Sequence, residues 1–205
     1  MFDSRVAERD LRRYRRRGPH GSSRALIAAL RSAGVQRASL LDIGAGVGAV
    51  THELLDAGAT HAMIADASAA YAAAARAEAA RRGHAKQLDV HVGDFVTMAE
   101  KLPVADVVTL DRVICCYPDM PSLVARSTAH ARRLYGVVYP RNSWWVRLVG
   151  AAGNVMRRLS GNPFRSYVHP EQGIDAAVRQ AGFRRRYLTR RLVWIAAVYE
   201  RSPSP

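Results

Sequence analysis

Leu40-Leu41-Asp42-Ile43-Gly44-Ala45-Gly46-Val47-Gly48 joins an apolar run to an acid and three alternate glycines. Ser39–Ile43 reads as a buried strand and 47–57 as the helix after it, so the glycines fall in the turn between them. Glycine there permits unusual backbone angles and lets a ligand approach the main chain with no Cβ in the way. A tight turn made only for packing uses the same residues, and 44–49 also approximates a dinucleotide fingerprint. Two further carboxylates narrow the choice. Asp66 closes a second strand, 22 residues after Gly44, where an acid accepts hydrogen bonds from both ribose hydroxyls. Asp94 follows a third strand in Val92-Gly93-Asp94-Phe95, so the three features line up along the carboxyl ends of adjacent strands, the usual ligand crevice of an open sheet. An adenosine ligand is expected, with Phe95 packing on its base. Asp42, two residues before Gly44, favours a ligand with a cationic amino group there over a pyrophosphate.

Outward from this loop, short extended runs alternate with helical ones. A helix capped by Ser22 or Ser23 precedes it, and the pairs 61–65 with Ala69–Arg82, then Leu88–Val92, 106–110 and 134–139 follow, with a helix at 122–131. Repeated strand-helix-strand units predict a parallel sheet with helices on both faces. The end breaks the rhythm: helix Glu171–Gln180 leads into 183–188, and 193–199 follows after a connection too short for a parallel crossover, so this pair must run antiparallel. The expected fold is α/β: a single doubly wound, Rossmann-like, seven-stranded sheet, mostly parallel with a C-terminal antiparallel strand. The expected organisation is a basic N-terminal arm at 1–21, one domain at 22–201 with a lid-like insertion at 141–169, and a disordered tail at 202–205.

The chain has 205 residues, 49% apolar, enough for one domain with a full core and too apolar for disorder. Its apolar runs fall short of the roughly 20 residues of a membrane span, and no secretory signal is visible. Cys115 and Cys116 are too few and too close for a disulfide framework, so a reducing cytoplasm fits, and the pair reads as small apolar filler rather than as a nucleophile or redox couple. Thirty-one basic residues against 17 acidic ones give +14, which brings nucleic acid or an anionic membrane surface into consideration. Twenty-nine of them are arginine, a bias that codon composition also produces, and a solvated basic face is the reading adopted. No specific nucleic-acid partner is expected.

The chain resembles the class I S-adenosylmethionine-dependent methyltransferases through 41–48, Asp66, Gly93-Asp94, the strand end Leu110-Asp111 and the C-terminal hairpin. The resemblance implies S-adenosyl-L-methionine as cofactor, held by Asp42, Gly44, Ala45, Gly46, Asp66, Ala67, Asp94, Phe95 and Asp111. Within that class, 107–118, the insertion ending at Tyr167-Val168-His169 and the Gly182-Phe183 turn are similar to the magnesium-protoporphyrin O-methyltransferase branch, whose catalytic His position is taken here by Cys116. The function expected is methyl transfer to a small, largely apolar acceptor at oxygen. A nucleic-acid (RNA) methyltransferase and a non-catalytic cofactor-binding protein are the alternatives.

Catalytic candidates are Asp111, His169 and Tyr14, with His20 also on the arm; each has a plainer reading as cap, surface residue or exposed aromatic. Candidates for the acceptor are Arg112, Tyr117, Arg141, Trp144 and Trp145. The apolar stripe of 144–159 reads as core packing, as a lid over a ring-containing acceptor, or as a membrane-surface helix. No histidine or acid cluster has metal-ligand spacing, so no catalytic metal is expected.

Overall fold

The computed structural model describes residues 3–202. Helices α1 (Ser4–Arg17) and α2 (Gly21–Ser32) lead into β1 (Ser39–Ile43), α3 (Ala49–Asp56), β2 (His61–Asp66), α4 (Ala69–Arg82), β3 (Leu88–Val92) and the short α5 (Phe95–Met98). β4 (Ala105–Asp111), α6 (Met120–Ala129), β5 (Ala131–Pro140), α7 (Trp144–Leu159), α8 (Glu171–Gln180), β6 (Phe183–Arg190) and β7 (Trp194–Arg201) complete the chain. The seven strands form one sheet in the order β3-β2-β1-β4-β5-β7-β6. β1 pairs parallel with β2 and β4, whereas β7 runs antiparallel between β5 and β6. The order reverses beside β1, so the ends of β1 and β4 diverge and leave a crevice there.

Alternation along the strands builds the two halves of the core. Leu41, Val108 and Tyr135 face a cluster with Leu123, Val124 and Val178 of α6 and α8. Their neighbours Leu40, Val107 and Leu134 face the opposite cluster, with Leu26, Leu30 and Leu54 of α2 and α3. A parallel sheet covered on both faces needs apolar side chains on both, and these strands supply them.

The N-terminal arm is, from Ser4 on, a helix packed against α4. Ala7, Leu11 and Tyr14, at i, i+4 and i+7, give this basic stretch one buried face. Asp3 caps it by accepting from Val6 N at 2.9 Å. Tyr71 Oη donates to Asp10 at 2.7 Å and Arg15 Nε to the buried Glu78 at 2.8 Å. Residues 203–205 of the expected tail lie outside the described residues, while Ser202 N donates to Gly182 O. Among the described residues no helix is long and apolar enough to cross a membrane.

Candidate active site

The turn between β1 and α3 adopts a left-handed backbone at all three glycines, with φ of 61° at Gly44 and 56° at Gly46. A Cβ on Gly44 would come within 2.6 Å of Val113 Cγ2, so the residue is glycine for space as well as for backbone. Gly44 N donates to Ala65 O at 2.7 Å, and Gly46 N donates to Asp66 Oδ2 at 2.9 Å. Asp66 Oδ1 accepts from Ser68 N at 2.8 Å. Burial raises the Asp66 pKa, opposed by these backbone donors. A carboxylate has about four lone-pair sites, so two remain for the paired hydroxyls of a ribose.

These residues wall a crevice of about 750 Å³ at the carboxyl ends of β1, β2 and β4. Gly44, Ala45, Gly46, Asp66, Ala67, Asp94, Phe95 and Asp111 all line it. Asp94 caps α5 through Val96 N at 2.9 Å and accepts from Tyr117 Oη at 3.2 Å, and Phe95 is buried edge-on to His130. The lining is of the kind S-adenosylmethionine requires: a main-chain surface bare of Cβ, an acid at the second strand end, and an acid beside an aromatic ring at the third.

Asp42 departs from its expected place. It does not line the crevice; it is 1% exposed and accepts from Thr51 Oγ1 and Thr109 Oγ1, each at 2.7 Å. It ties β1 to α3 and β4, and burial pushes its pKa up to about 7 against those two bonds. Its effect on the ligand passes through the shape of the loop.

Arg112, Tyr117 and Tyr14 line the same crevice as Asp111. Asp111 Oδ2 accepts from Ser23 Oγ at 2.5 Å, while Asp111 Oδ1 and Arg112 Nε, buried 3.4 Å apart, have no hydrogen-bond partner among the described residues. Arg112 has φ of 63°, a strained value for a non-glycine residue, held by its N–H to Val138 O at 2.9 Å. Strain of this kind gathers where a side chain must be aimed. Tyr14 is buried rather than exposed: its hydroxyl donates to Glu53 at 3.0 Å and accepts from Arg82 at 2.9 Å, while its ring lines the crevice. Burial and the Glu53 carboxylate both raise its pKa, which argues against Tyr14 as a base.

Four expectations are corrected. His169 is not on the crevice; its Nε2 lies 3.0 Å from Tyr117 O and its ring stacks on Tyr167. Arg141 lines a separate cavity with Glu171, Asp175, Arg185 and Arg190. Trp144 and Trp145 do not reach the crevice either, and Trp144 is 76% exposed. The stripe of α7 is neither lid nor core, because α7 packs through its small polar face. A Cβ on Gly150 would stand 3.9 Å from Ser166 and Val168, and Asn154 bonds Ser166 through both its amide groups. Finally, Ser22 and Ser23 do not cap α2; His20 is its N-cap and Ser23 reaches Asp111.

Phe164 and Arg13, which the sequence did not single out, line the crevice as well, together with the arm residue His20. Phe164, from the return segment after α7, lies beneath the Arg157 guanidinium, 5.2 Å from the ring centroid. Burial, then Arg112 and Arg13, push the His20 pKa down to about 4. Cys115 is buried, as a filler should be, but Cys116 faces the crevice. Among the described residues no three of His, Cys, Asp and Glu are grouped to hold a metal ion.

Residues 40–138 match the family model for a methyltransferase domain. The fold is similar to that of magnesium protoporphyrin IX methyltransferase from Synechocystis PCC 6803 with bound SAH, at 19% identity and a TM-score of 0.71, covering 88% of this chain and 82% of that one. It is also similar to an O-methyltransferase family protein from Burkholderia thailandensis, at 16% identity and a TM-score of 0.76, covering 99% of this chain and 61% of that one. No curated protein matches the sequence. The family model spans β1 to β5 and so includes the strand ends that wall the crevice: residues 40–138 of the chain carry a methyltransferase domain.

Proposed function

We propose that the protein transfers a methyl group to an oxygen of a small, largely apolar acceptor. The observation that carries this reading is the mixed apolar and basic lining of the crevice. Val113, Leu123 and Phe164 give it an apolar surface, and Arg112, Arg13 and His20 are the groups that meet a polar atom. Two arginines beside a histidine kept neutral suit an acceptor whose oxygen arrives as an anion. A carboxylate or acidic phenol of this kind needs little base, because its proton has already gone.

When bound, S-adenosylmethionine supplies a methyl group already activated by the sulfonium. The chain's own residues then have to orient and to exclude water. Arg112 aims its guanidinium from a strained backbone, Phe164 and the buried Tyr14 ring cover apolar surface, and Ser23 holds Asp111 still. Orientation of this kind supplies on the order of 7–11 kcal/mol of a barrier. The similarity to magnesium protoporphyrin IX methyltransferase and to an O-methyltransferase family protein supports transfer at oxygen. Cys116, at the position where the porphyrin branch has its catalytic His, is a polarisable surface against the acceptor on this reading and removes no proton.

The test is transfer of labelled methyl to a panel of apolar carboxylic acids, phenols, amines, thiols and RNA. Turnover should be confined to the oxygen acceptors, and Arg112→Gln should raise KM for them by about tenfold, as loss of a charge-assisted bond requires. Turnover on amines, thiols or RNA alone would remove the assignment.

A further inference from the structure

The outward face of α7 is the largest apolar feature that the crevice leaves unused. Trp144, Leu148, Val149, Val155, Met156 and Leu159 are between 57% and 83% exposed, and at about 100° per residue they fall in one continuous arc. Exposed apolar surface of this extent on a soluble fold marks a contact site. Arg147 and Arg158, both exposed, border the arc on one edge. Residues 120–170 hold eight arginines and no Asp or Glu.

We infer that α7 docks the protein on an anionic lipid surface, its apolar arc in the interface and its arginines on the phosphate groups. An interfacial helix combines one apolar face with aromatic and leucine side chains, a basic polar face and low net hydrophobicity, and α7 has each of these. Charge selects this occupant over a second copy of the chain. A two-fold contact through α7 would bring its arginine-bordered edge against the same edge of the copy, on molecules that each carry +14. The inner face of α7 rests on the segment that carries Phe164 into the crevice, so docking sets the acceptor end close to the lipid. The inference rests on α7 alone and stands whichever atom is methylated.

The test is co-sedimentation of the full chain with phosphatidylcholine vesicles, with and without phosphatidylserine. Binding is expected to the phosphatidylserine vesicles, to fall with salt, and to weaken by more than about tenfold in Leu148→Ser/Met156→Ser/Leu159→Ser, which removes three of the apolar contacts. These side chains are exposed, so the variant should bind S-adenosylhomocysteine as before, measured by calorimetry. No binding to either vesicle overturns the inference. So does vesicle binding that the triple variant leaves intact, which belongs to net charge alone, and so does a dimer that this variant dissociates while vesicle binding is unchanged.

Discussion

Ser23 Oγ donates to Asp111 Oδ2 at 2.5 Å, fastening the first turn of α2 to the end of β4 across 88 residues of chain. The bond is formed by a serine that is 1% exposed, and the other oxygen of Asp111 is buried 3.4 Å from Arg112 Nε. Ser23→Ala should remove about 1–2 kcal/mol of stability and free the carboxylate to turn. Thermal unfolding and kcat together check this: a fall in melting temperature with kcat untouched would separate Asp111 from the transfer step.

Asp66 holds Gly46 N and Ser68 N while lining the crevice, so Asp66→Ala takes the acceptor from two half-buried donors at once. Binding of S-adenosylhomocysteine should weaken by at least about a hundredfold, at roughly 1–3 kcal/mol for each unpaired group. Calorimetry reads the loss directly, and an affinity within threefold of wild type would mean that the carboxylate does not face the ribose.

Gly44→Ala brings a methyl group to 2.6 Å from Val113 Cγ2 and forces alanine to a φ of 61°. Cofactor binding should be abolished in a protein whose far-UV circular dichroism is normal. The double variant Gly44→Ala/Val113→Ala relieves the clash but not the backbone strain, so recovery should be partial. Full recovery would show that only the contact with Val113 matters.

The buried Asp42 has a folded pKa pushed up to about 7 against an ordinary value of 3.8. For an acid shifted upward, the stabilising contribution is complete below pH 3.8 and is lost as pH rises through 7. Asp42→Asn cannot ionise, so its melting temperature should fall less than that of the wild type between about pH 5 and pH 8. Parallel curves for the two proteins would place the pH dependence elsewhere.

Glu78 has the opposite sign. Although burial opposes it, the bonds from Arg81 and Arg15 bring its pKa down to about 2 from 4.5. Its contribution is present above pH 4.5 and is lost as pH falls toward 2, and Arg15 is its link to α1. Hydrogen exchange in α1 should therefore quicken below pH 4.5 once corrected for the intrinsic pH dependence. Arg15→Gln should bring the same loosening at neutral pH, and unchanged protection in that variant would show that Leu11 and Tyr14 hold α1 alone.

The glycine turn was legible because its constraints are local. A positive φ at Gly44, the acid closing β2 and the short connection before β7 each follow from a few neighbouring residues, and they set the turn at the crevice, one wall of it and the antiparallel pairing of the last two strands. The same local reading offers Ser22 or Ser23 as a cap and the stripe of 144–159 as core, lid or surface helix, since each fits a helix seen alone. Asp42 looked like a ligand contact because sequence places it beside the glycines but does not show which side of β1 it leaves.

Sequence by itself determined the elements and the chemistry at their ends, since hydrophobic period, glycine and proline act within one or two turns of chain. Only the tertiary structure decided which groups share the crevice. Ser23 and Asp111, Arg13 and His20 and Arg112, and Phe164 and Cys116 lie far apart in sequence, and their sharing one crevice depends on how α1, α2 and the segment after α7 pack across the open ends of the strands. The outward turn of α7 was settled in the same way: Gly150 and Asn154 allow a closer approach to the segment at 166–168 than the tryptophan face does, so that face is left to the surroundings.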